Sequence, residues 1–285
     1  MTIIVMTDLD GSLLSHSTLS FKQIHSDILD LLDSGIHIVP ASSKTKIEMD
    51  VFCSELGRDL PFIYENGAGF ENIGSLLPDS KLPDSKLPDS KLPDSVVSDA
   101  AVDVDELWRI WGEHVPNEIK KQCLFVHEMD VKQQIDLLGL KGQKLENALM
   151  RGFSFCFKFV GSRVQLRHLK HILDKNNLTF HQGGRVLTLC GKHDKSDYCD
   201  FIQSNLSESK FASFLVGVGD SENDVALLEA CDVACIIPRP HKPLLSLSIP
   251  LDRTIIAGSI APLGWLEAVR KALAINNTEK VANYG

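Results

Sequence analysis

Two aspartates follow the first apolar segment of the chain and are only two residues apart. Asp8 and Asp10, with Gly11 beside them, come directly after Ile3-Ile4-Val5-Met6. A short apolar run is typical of a strand buried on both faces of a parallel sheet, and ligands bind beyond the carboxyl ends of such strands. Carboxylates held this close repel each other unless a metal ion or a shared proton intervenes. The pair therefore indicates metal or proton-transfer chemistry, and the alternative is an acidic turn in contact with water.

A second acidic segment follows a later apolar run, Phe214–Val218. Asp220 and Asp224 are four residues apart, so both can lie on one side of the start of a helix. With Asp8 and the main-chain carbonyl of Asp10, they would supply hard oxygen ligands for an octahedral Mg²⁺ ion. The alternative is a helix N-terminus with acidic residues in its first turn. Because this is the second acidic strand end, we favour the metal site.

Two further segments offer hydroxyl groups and positive charge. Ser42, Ser43 and Lys44 follow the second predicted strand, where a hydroxyl and free amides at a helix N-terminus can hold a phosphoryl group. Capping of that helix by Ser43 is the alternative. Lys195 precedes an amphipathic helix and, if it is buried, could balance the charge of nearby carboxylates, although most single lysines are surface charges. We select it over Lys192 because of its spacing to that helix.

The elements that position these residues alternate between strands and helices. Apolar segments predict strands at 3–6, 36–39, 61–64, 214–218 and 233–237, and amphipathic segments predict helices at 24–32, 44–56, 225–230 and 265–275. This alternation is typical of a parallel sheet with helices on both faces. We therefore predict an α/β fold with a doubly wound parallel-sheet core.

The pattern changes in the middle of the chain, where strict alternation over Phe153–Phe159 predicts a half-buried antiparallel strand. We predict that residues 1–75 and 186–285 form the core and that residues 97–185 form an inserted α/β cap domain. Residues 76–96 contain the five-residue repeat LPDSK, whose prolines block helices and central strands. We predict that this insertion is a loop or disordered, without chemistry of its own.

Composition and charge narrow the function classes. The 285 residues carry a net charge of −9, which argues against a non-specific nucleic-acid or anionic-membrane partner. The sequence has no apolar stretch long enough to span a membrane and no secretory signal. Its seven cysteines lack the paired spacing of zinc sites and are typical of reduced, buried thiols, so we predict a cytoplasmic protein without zinc. No oligomeric state is predicted.

In order and type, the four chemically marked segments resemble the four motifs of the haloacid dehalogenase (HAD) superfamily, whose core is Rossmann-like. The resemblance implies a Mg²⁺-dependent phosphatase that works through an aspartyl-phosphate intermediate. It also implies that Asp8 is the nucleophile, Asp10 the general acid and base, and Lys195 the motif lysine. Ser42 resembles the phosphate-binding hydroxyl. The implied metal-site residues are Asp8, Asp10, Asp220 and Asp224.

A closer resemblance is carried by Pro61–Ala68, Ser42–Thr45, Ala148, Arg151–Ser154 and Gly183–Arg185. These segments look like the mannosyl-3-phosphoglycerate phosphatase family. The resemblance implies a small phosphorylated sugar–glycerate substrate and release of mannosylglycerate, a compatible solute. The implied phosphate- and substrate-binding residues are Ser42, Lys44, Asn66, Arg151 and Arg185. Ser12 stands where the family usually has threonine, but the hydroxyl is kept.

Three other interpretations stay open on the sequence. In the first, the substrate carries glucose or is another sugar phosphate. The LPDSK insertion keeps this alternative open, because it lies where the core passes into the cap. A phosphomutase-type transferase shares the Asp-x-Asp motif and would return the phosphoryl group to a sugar. A non-catalytic, metal-stabilised binding protein is disfavoured, because every acid and the lysine needed for turnover are present.

Overall fold

The computed structural model describes residues 2–76, 93–208 and 213–283. Its strands are β1 (Thr2–Thr7), β2 (His37–Pro40), β3 (Phe62–Tyr64), β4 (Gly69–Glu71), β5 (Ser95–Val97), β6 (Cys123–Phe125), β7 (Ser154–Phe159), β8 (Leu178–Gln182), β9 (Leu187–Gly191), β10 (Ser213–Gly219), β11 (Val233–Ile236) and β12 (Thr254–Ile256). Its α-helices are α1 (His25–Asp33), α2 (Lys46–Leu56), α3 (Val104–His114), α4 (Asn117–Lys120), α5 (Val131–Leu138), α6 (Gln143–Leu149), α7 (Arg163–Lys175), α8 (Asp197–Glu208), α9 (Val225–Ala230) and α10 (Leu263–Asn283).

Five parallel strands form the central sheet, in the order β12-β11-β10-β1-β2. Successive side chains of β1 point to opposite faces of the sheet, and Ile4, Val5 and Met6 are all fully buried. Val5 belongs to an apolar cluster with residues of α1, α2 and α10, whereas Ile4 and Met6 belong to another with residues of α8 and α9. Helices therefore cover both faces, and the predicted doubly wound α/β core is confirmed.

The carboxyl ends of β1, β2 and β10 lie side by side. The amide of Asp8 donates to the carbonyl of Val218 at 2.9 Å, and the amide of Ala41 donates to the carbonyl of Thr7 at 2.7 Å. The indole of Trp265 in α10 donates to the Thr7 hydroxyl at 2.9 Å and so holds this end of β1 against α10. Residues that directly follow these three strands therefore enter one crevice.

Strand β3 does not extend the parallel sheet, so that part of the prediction is wrong. It forms a three-stranded antiparallel sheet with β4 and β5, and an isolated bridge between Ala41 and Ile63 joins it to the end of β2. The reason is the turn after β3, where Glu65, Asn66 and Gly67 all have positive φ and reverse the chain into a hairpin.

A separate four-stranded antiparallel sheet, in the order β6-β7-β9-β8, forms the inserted α/β cap that the sequence predicts. It has its own apolar cluster, which includes Trp111 and Phe157. The alternating strand predicted at 153–159 is β7, which pairs antiparallel with β6 and β9. The cap boundary expected at residue 185 falls between β8 and β9, and the sheet itself reaches Gly191. The limits of the domains stay a prediction.

Helix α2 begins two residues later than Ser43 would require. Thr45 is its N-cap: the Glu48 amide donates to the Thr45 hydroxyl at 3.2 Å, and the Thr45 amide donates to the Glu48 carboxylate at 2.9 Å. This reciprocal capping box satisfies two amides at once, which a lone serine cap does not. The predicted cap at Ser43 is therefore wrong, and Ser43 stays in the loop before the helix.

Two further predictions were that the LPDSK insertion is a loop or disordered and that the chain has no membrane-spanning segment. Most of the LPDSK segment lies outside the described residues, whereas Ser95 and Val96 at its expected end belong to β5. Among the helices of the described ranges, none combines the length and the apolar character needed to cross a bilayer.

Candidate active site

Three aspartates that are distant in sequence meet at the carboxyl edge of the central sheet. Asp8 follows β1, Asp220 follows β10, and Asp224 lies just before α9. One carboxylate oxygen from each lies within 4.8 Å of the others, and all three residues are buried. The parallel pairing of β1 with β10 brings the two acidic strand ends together, as their positions after apolar runs predict.

Lys195, in the loop between β9 and α8, joins two members of this cluster. Its ammonium lies 2.7 Å from Asp8 Oδ1 and 2.7 Å from Asp224 Oδ1, and its side chain is 1% exposed. Burial opposes the charged form, but Asp224 and Asp8 outweigh it and raise the pKa of Lys195 above its usual value. Lys192 instead lies on the surface and donates to the Asp174 carbonyl at 3.0 Å.

The cluster holds more negative charge than Lys195 can balance. Burial, together with repulsion from Asp224, raises the pKa of Asp8 well above its usual value and that of Asp220 to about 7. Both oxygens of Asp224 are engaged: Oδ1 faces Lys195, and Oδ2 accepts from the amides of Asp220 and Ser221 at 3.2 and 3.1 Å. In contrast, Asp220 Oδ1 is buried and finds no partner in residues 2–76, 93–208 and 213–283. Hard oxygen atoms with excess negative charge fit a divalent cation, with Asp220 as the freest ligand.

Gly11 is required where the first acidic loop approaches Asp220. Its φ of +96° is a conformation that other residues rarely adopt, and a Cβ atom there would lie 2.4 Å from Asp220 Oδ2. Gly67 likewise allows the turn after β3 to approach the loop that carries Lys195. Its φ is +104°, and a Cβ atom there would lie 2.2 Å from the Asp194 carbonyl oxygen. Both glycines therefore allow loops from different parts of the chain to touch.

The side chain of Asp10 lies apart from the three-aspartate cluster. Its Oδ2 atom accepts a hydrogen bond from Lys44 at 2.7 Å, and Lys44 is also 4.0 Å from Glu48. Burial opposes the charge on Lys44, but Asp10 and Glu48 outweigh it and raise the pKa of Lys44. Asp10 Oδ1 is buried without a partner. Asp10 and Lys44 both line the cavity described below, so each can face a ligand there.

Ser42 and Asn66 lie side by side behind this ion pair. The Asn66 amide donates to the Ser42 carbonyl at 2.9 Å, and Ser42 is fully buried. Asn66 is only 2% exposed, and neither its side-chain oxygen nor its side-chain nitrogen has a partner among the described residues. A buried amide left unpaired is costly, so it needs a partner from outside the chain, such as water or a ligand oxygen.

A cavity of about 420 Å³ lies between these core loops and the cap. Arg151 reaches it from the cap, and its Nη1 atom donates to the Ser43 carbonyl at 3.2 Å and to the Ser154 hydroxyl at 2.9 Å. Arg185 also lines the cavity but is exposed and donates to the Leu138 carbonyl. Asp10, Lys44, Arg151 and Arg185 thus share one cavity, whereas the three-aspartate cluster does not line it.

Two charged residues of this region were not among the predicted site residues. Arg239 lies in the loop after β11, and its Nε atom is 3.9 Å from Asp220 Oδ2. Its position directly after a predicted parallel strand could have marked it as a candidate site residue. Glu65 is 2% exposed and accepts hydrogen bonds from the cap. It stands in the Glu-Asn-Gly turn, where only Asn66 was singled out.

Comparisons with known proteins agree with this architecture. The sequence profile of the haloacid dehalogenase-like hydrolases matches residues 5–93. A glucosyl-3-phosphoglycerate/mannosyl-3-phosphoglycerate phosphatase from Persephonella marina is 28% identical over 274 residues, which cover 95% of this chain and 97% of the relative. A relative of the same name from Methanococcoides burtonii is 24% identical, covering 96% of this chain and 98% of the relative.

Solved structures share the fold at lower identity. A haloacid dehalogenase-like hydrolase from Bacteroides thetaiotaomicron has a TM-score of 0.59 and 14% identity, covering 98% of this chain and 100% of the other. The sucrose-phosphatase from Synechocystis, in complex with sucrose and phosphate, has a TM-score of 0.52 and 12% identity, covering 96% of this chain and 98% of the other. The chain is therefore similar to the haloacid dehalogenase-like hydrolases over residues 5–93, and over nearly its whole length to two proteins named glucosyl-3-phosphoglycerate/mannosyl-3-phosphoglycerate phosphatase.

Proposed function

We propose that this protein is a Mg²⁺-dependent phosphatase in which Asp8 is the nucleophile. The observation that carries the proposal is one buried cluster that contains Asp8, Asp220, Asp224 and Lys195. Its most distant members in the sequence, Asp8 and Asp224, are 216 positions apart. When bound to Asp8, Asp220, Asp224 and the carbonyl of Asp10, Mg²⁺ would neutralise charge on the transferring phosphoryl group. Asp224 differs from the other acids in that both its oxygens already have protein partners.

The chain's own residues divide the reaction into two displacements. In the first, an Asp8 oxygen attacks phosphorus in line and the bond to the substrate oxygen breaks, while protonated Asp10 gives its proton to that oxygen. In the second, water attacks the aspartyl phosphate, Asp10 takes a proton from it, and phosphate leaves with Asp8 restored. Lys195, whose ammonium lies 2.7 Å from Asp8, would orient the nucleophile, and Ser42 and Asn66 would bind phosphoryl oxygens.

We further propose that the substrate is a glycosyl-3-phosphoglycerate, with the 2-O-mannosyl compound first. The names of the two curated relatives support this class, and they include the glucosyl alternative. Such a substrate carries a carboxylate besides its phosphate, and Lys44, Arg151 and Arg185 offer cations around the cavity. All seven cysteines are free and buried, which supports a cytoplasmic location as part of the proposal.

The test is a Mg²⁺-dependent phosphate-release screen over mannosyl- and glucosyl-3-phosphoglycerate and simple sugar phosphates. We expect a preference above about 100-fold, equal to about 2.7 kcal/mol, for a glycosyl-3-phosphoglycerate. The screen contains no sugar bisphosphate, so phosphate that appears only after a bisphosphate is added would favour a phosphomutase-type transferase. Asp8→Asn should remove turnover and leave the fold intact, and an active variant would exclude Asp8 as the nucleophile.

A further inference from the structure

Glu65 is a buried carboxylate that the proposed reaction does not use. Its residue is 2% exposed, and its φ of +44° places it in the tight turn between β3 and β4. The Glu65 amide donates to the Lys44 carbonyl at 2.8 Å, and its own carbonyl lies 3.0 Å from the His193 ring nitrogen Nε2. Core loops on both sides therefore fix its backbone.

The Glu65 side chain binds the cap rather than the core. Oε1 accepts from the Gly152 amide at 2.8 Å, and Oε2 accepts from the Phe153 amide at 3.1 Å and from the Ser154 hydroxyl at 2.5 Å. Three donors from consecutive residues satisfy a carboxylate that would otherwise be costly to bury. They fix the segment at which the chain enters β7.

This segment begins at Arg151, whose guanidinium lines the cavity. The Ser154 hydroxyl accepts from Arg151 Nη1 at 2.9 Å while it donates to Glu65. Glu65 and Arg151 are thus linked through one hydroxyl. Arg151 Nε is buried and has no partner within the described part of the chain, so the guanidinium keeps a donor for another group.

We infer that Glu65 is a positioning residue that sets the Arg151 guanidinium against the carboxylate of the substrate. The inference rests on the proposed function for the identity of that substrate. A planar guanidinium binds a carboxylate best through two parallel hydrogen bonds, which requires its orientation to be fixed. Glu65 supplies that constraint from the core side and touches no substrate itself. A merely structural role would weaken turnover of every substrate alike.

The test measures kcat and KM for Glu65→Gln, Arg151→Gln and the double variant with mannosyl-3-phosphoglycerate and with 4-nitrophenyl phosphate, which lacks a carboxylate. Glu65→Gln should raise KM for the first substrate by about 10- to 100-fold and affect the second far less. Because Glu65 acts through Arg151, the double variant should lose no more than Arg151→Gln alone. Equal losses on both substrates, or additive losses, would overturn the inference.

Glu55→Gln is the matched control, because Glu55 also lies at the boundary between core and cap, 3.9 Å from Lys144, but on the surface. It should keep the wild-type kcat and KM.

If the wild type does not hydrolyse glycosyl-3-phosphoglycerates, the proposed function fails, and the inference is tested by inhibition of 4-nitrophenyl phosphate turnover. Glu65→Gln should weaken inhibition by 3-phosphoglycerate about tenfold relative to inhibition by inorganic phosphate. If Glu65→Gln does not fold, Glu65→Asp takes its place. An unchanged ratio would reject the inference alone.

Discussion

Lys195 and Asp8 are 187 positions apart in the sequence, yet the lysine ammonium lies 2.7 Å from Asp8 Oδ1. The same ammonium lies 2.7 Å from Asp224 Oδ1. Because all three side chains are buried, this ammonium is a counter-charge shared by the two carboxyl groups. The contact therefore couples the stability of the fold to the chemistry of the site.

Removing this ammonium should destabilise the protein strongly. Lys195→Met leaves Asp8 and Asp224 buried without their cation, which should cost about 3–5 kcal/mol of unfolding free energy in metal-free buffer. Urea unfolding at neutral pH measures it. Lys192→Met, in the same loop but exposed, should change the free energy by less than about 0.5 kcal/mol. Equal effects of the two variants would mean that the buried contact contributes nothing.

The stabilisation by Mg²⁺ should grow as pH rises. Burial raises the pKa of Asp220 from 3.8 to about 7 and that of Asp8 above its usual value. Carboxyls with raised folded-state pKa values contribute stability that is present below pH 3.8 and lost as pH rises through about 7. Mg²⁺ binds the ionised form and offsets that loss, so the rise in thermal midpoint on adding Mg²⁺ should be small at pH 5 and several degrees at pH 8.

Asp220→Asn is the control for this pH dependence. The amide does not titrate and binds Mg²⁺ weakly, so most of the Mg²⁺-induced rise at pH 8 should vanish. A Mg²⁺ effect that is equal at pH 5 and pH 8 in the wild type would contradict the prediction.

Gly11→Ala should impair the metal site more than the fold. The new methyl group would lie 2.4 Å from Asp220 Oδ2 and displace a metal ligand, so kcat/KM should fall by about 100-fold or more. Gly57→Ala is a matched control, since Gly57 also has positive φ, +75°, but nothing within 4 Å of the added atom. It should cost about 1–2 kcal/mol of stability and leave turnover unchanged. Comparable turnover in both variants would argue against the clash.

The effect of Asp10→Asn should depend on the leaving group. Loss of the proton donor should slow glycosyl-3-phosphoglycerate hydrolysis by about 10²- to 10⁴-fold. Hydrolysis of 4-nitrophenyl phosphate should suffer far less, because nitrophenolate leaves without protonation. Asp33→Asn, on the surface beside Arg58, should leave both rates unchanged. A uniform loss on both substrates would assign Asp10 to binding rather than to proton transfer.

The sequence predicted much of the fold and the positions of the acids. Apolar runs marked β1, β2 and β10, and a parallel sheet brings the carboxyl ends of neighbouring strands to one edge. That rule places Asp8 and Asp220 at the same edge of the sheet. The strand β3 was predicted in place but assigned to the wrong sheet, because three residues with positive φ in the following turn reverse the chain and no apolar pattern reveals such a turn.

The tertiary structure decided what depends on contacts between distant segments. Spacing to the following helix selected Lys195 over Lys192, but only the folded chain shows that Lys195 contacts both Asp8 and Asp224. It could not show that Arg239 approaches Asp220, or that Glu65 binds the cap. The sequence by itself determines which side chains stand at the strand ends, because side-chain periodicity is local. Which of them touch follows only from packing, because burial and hydrogen bonding between loops arise when the whole chain is folded.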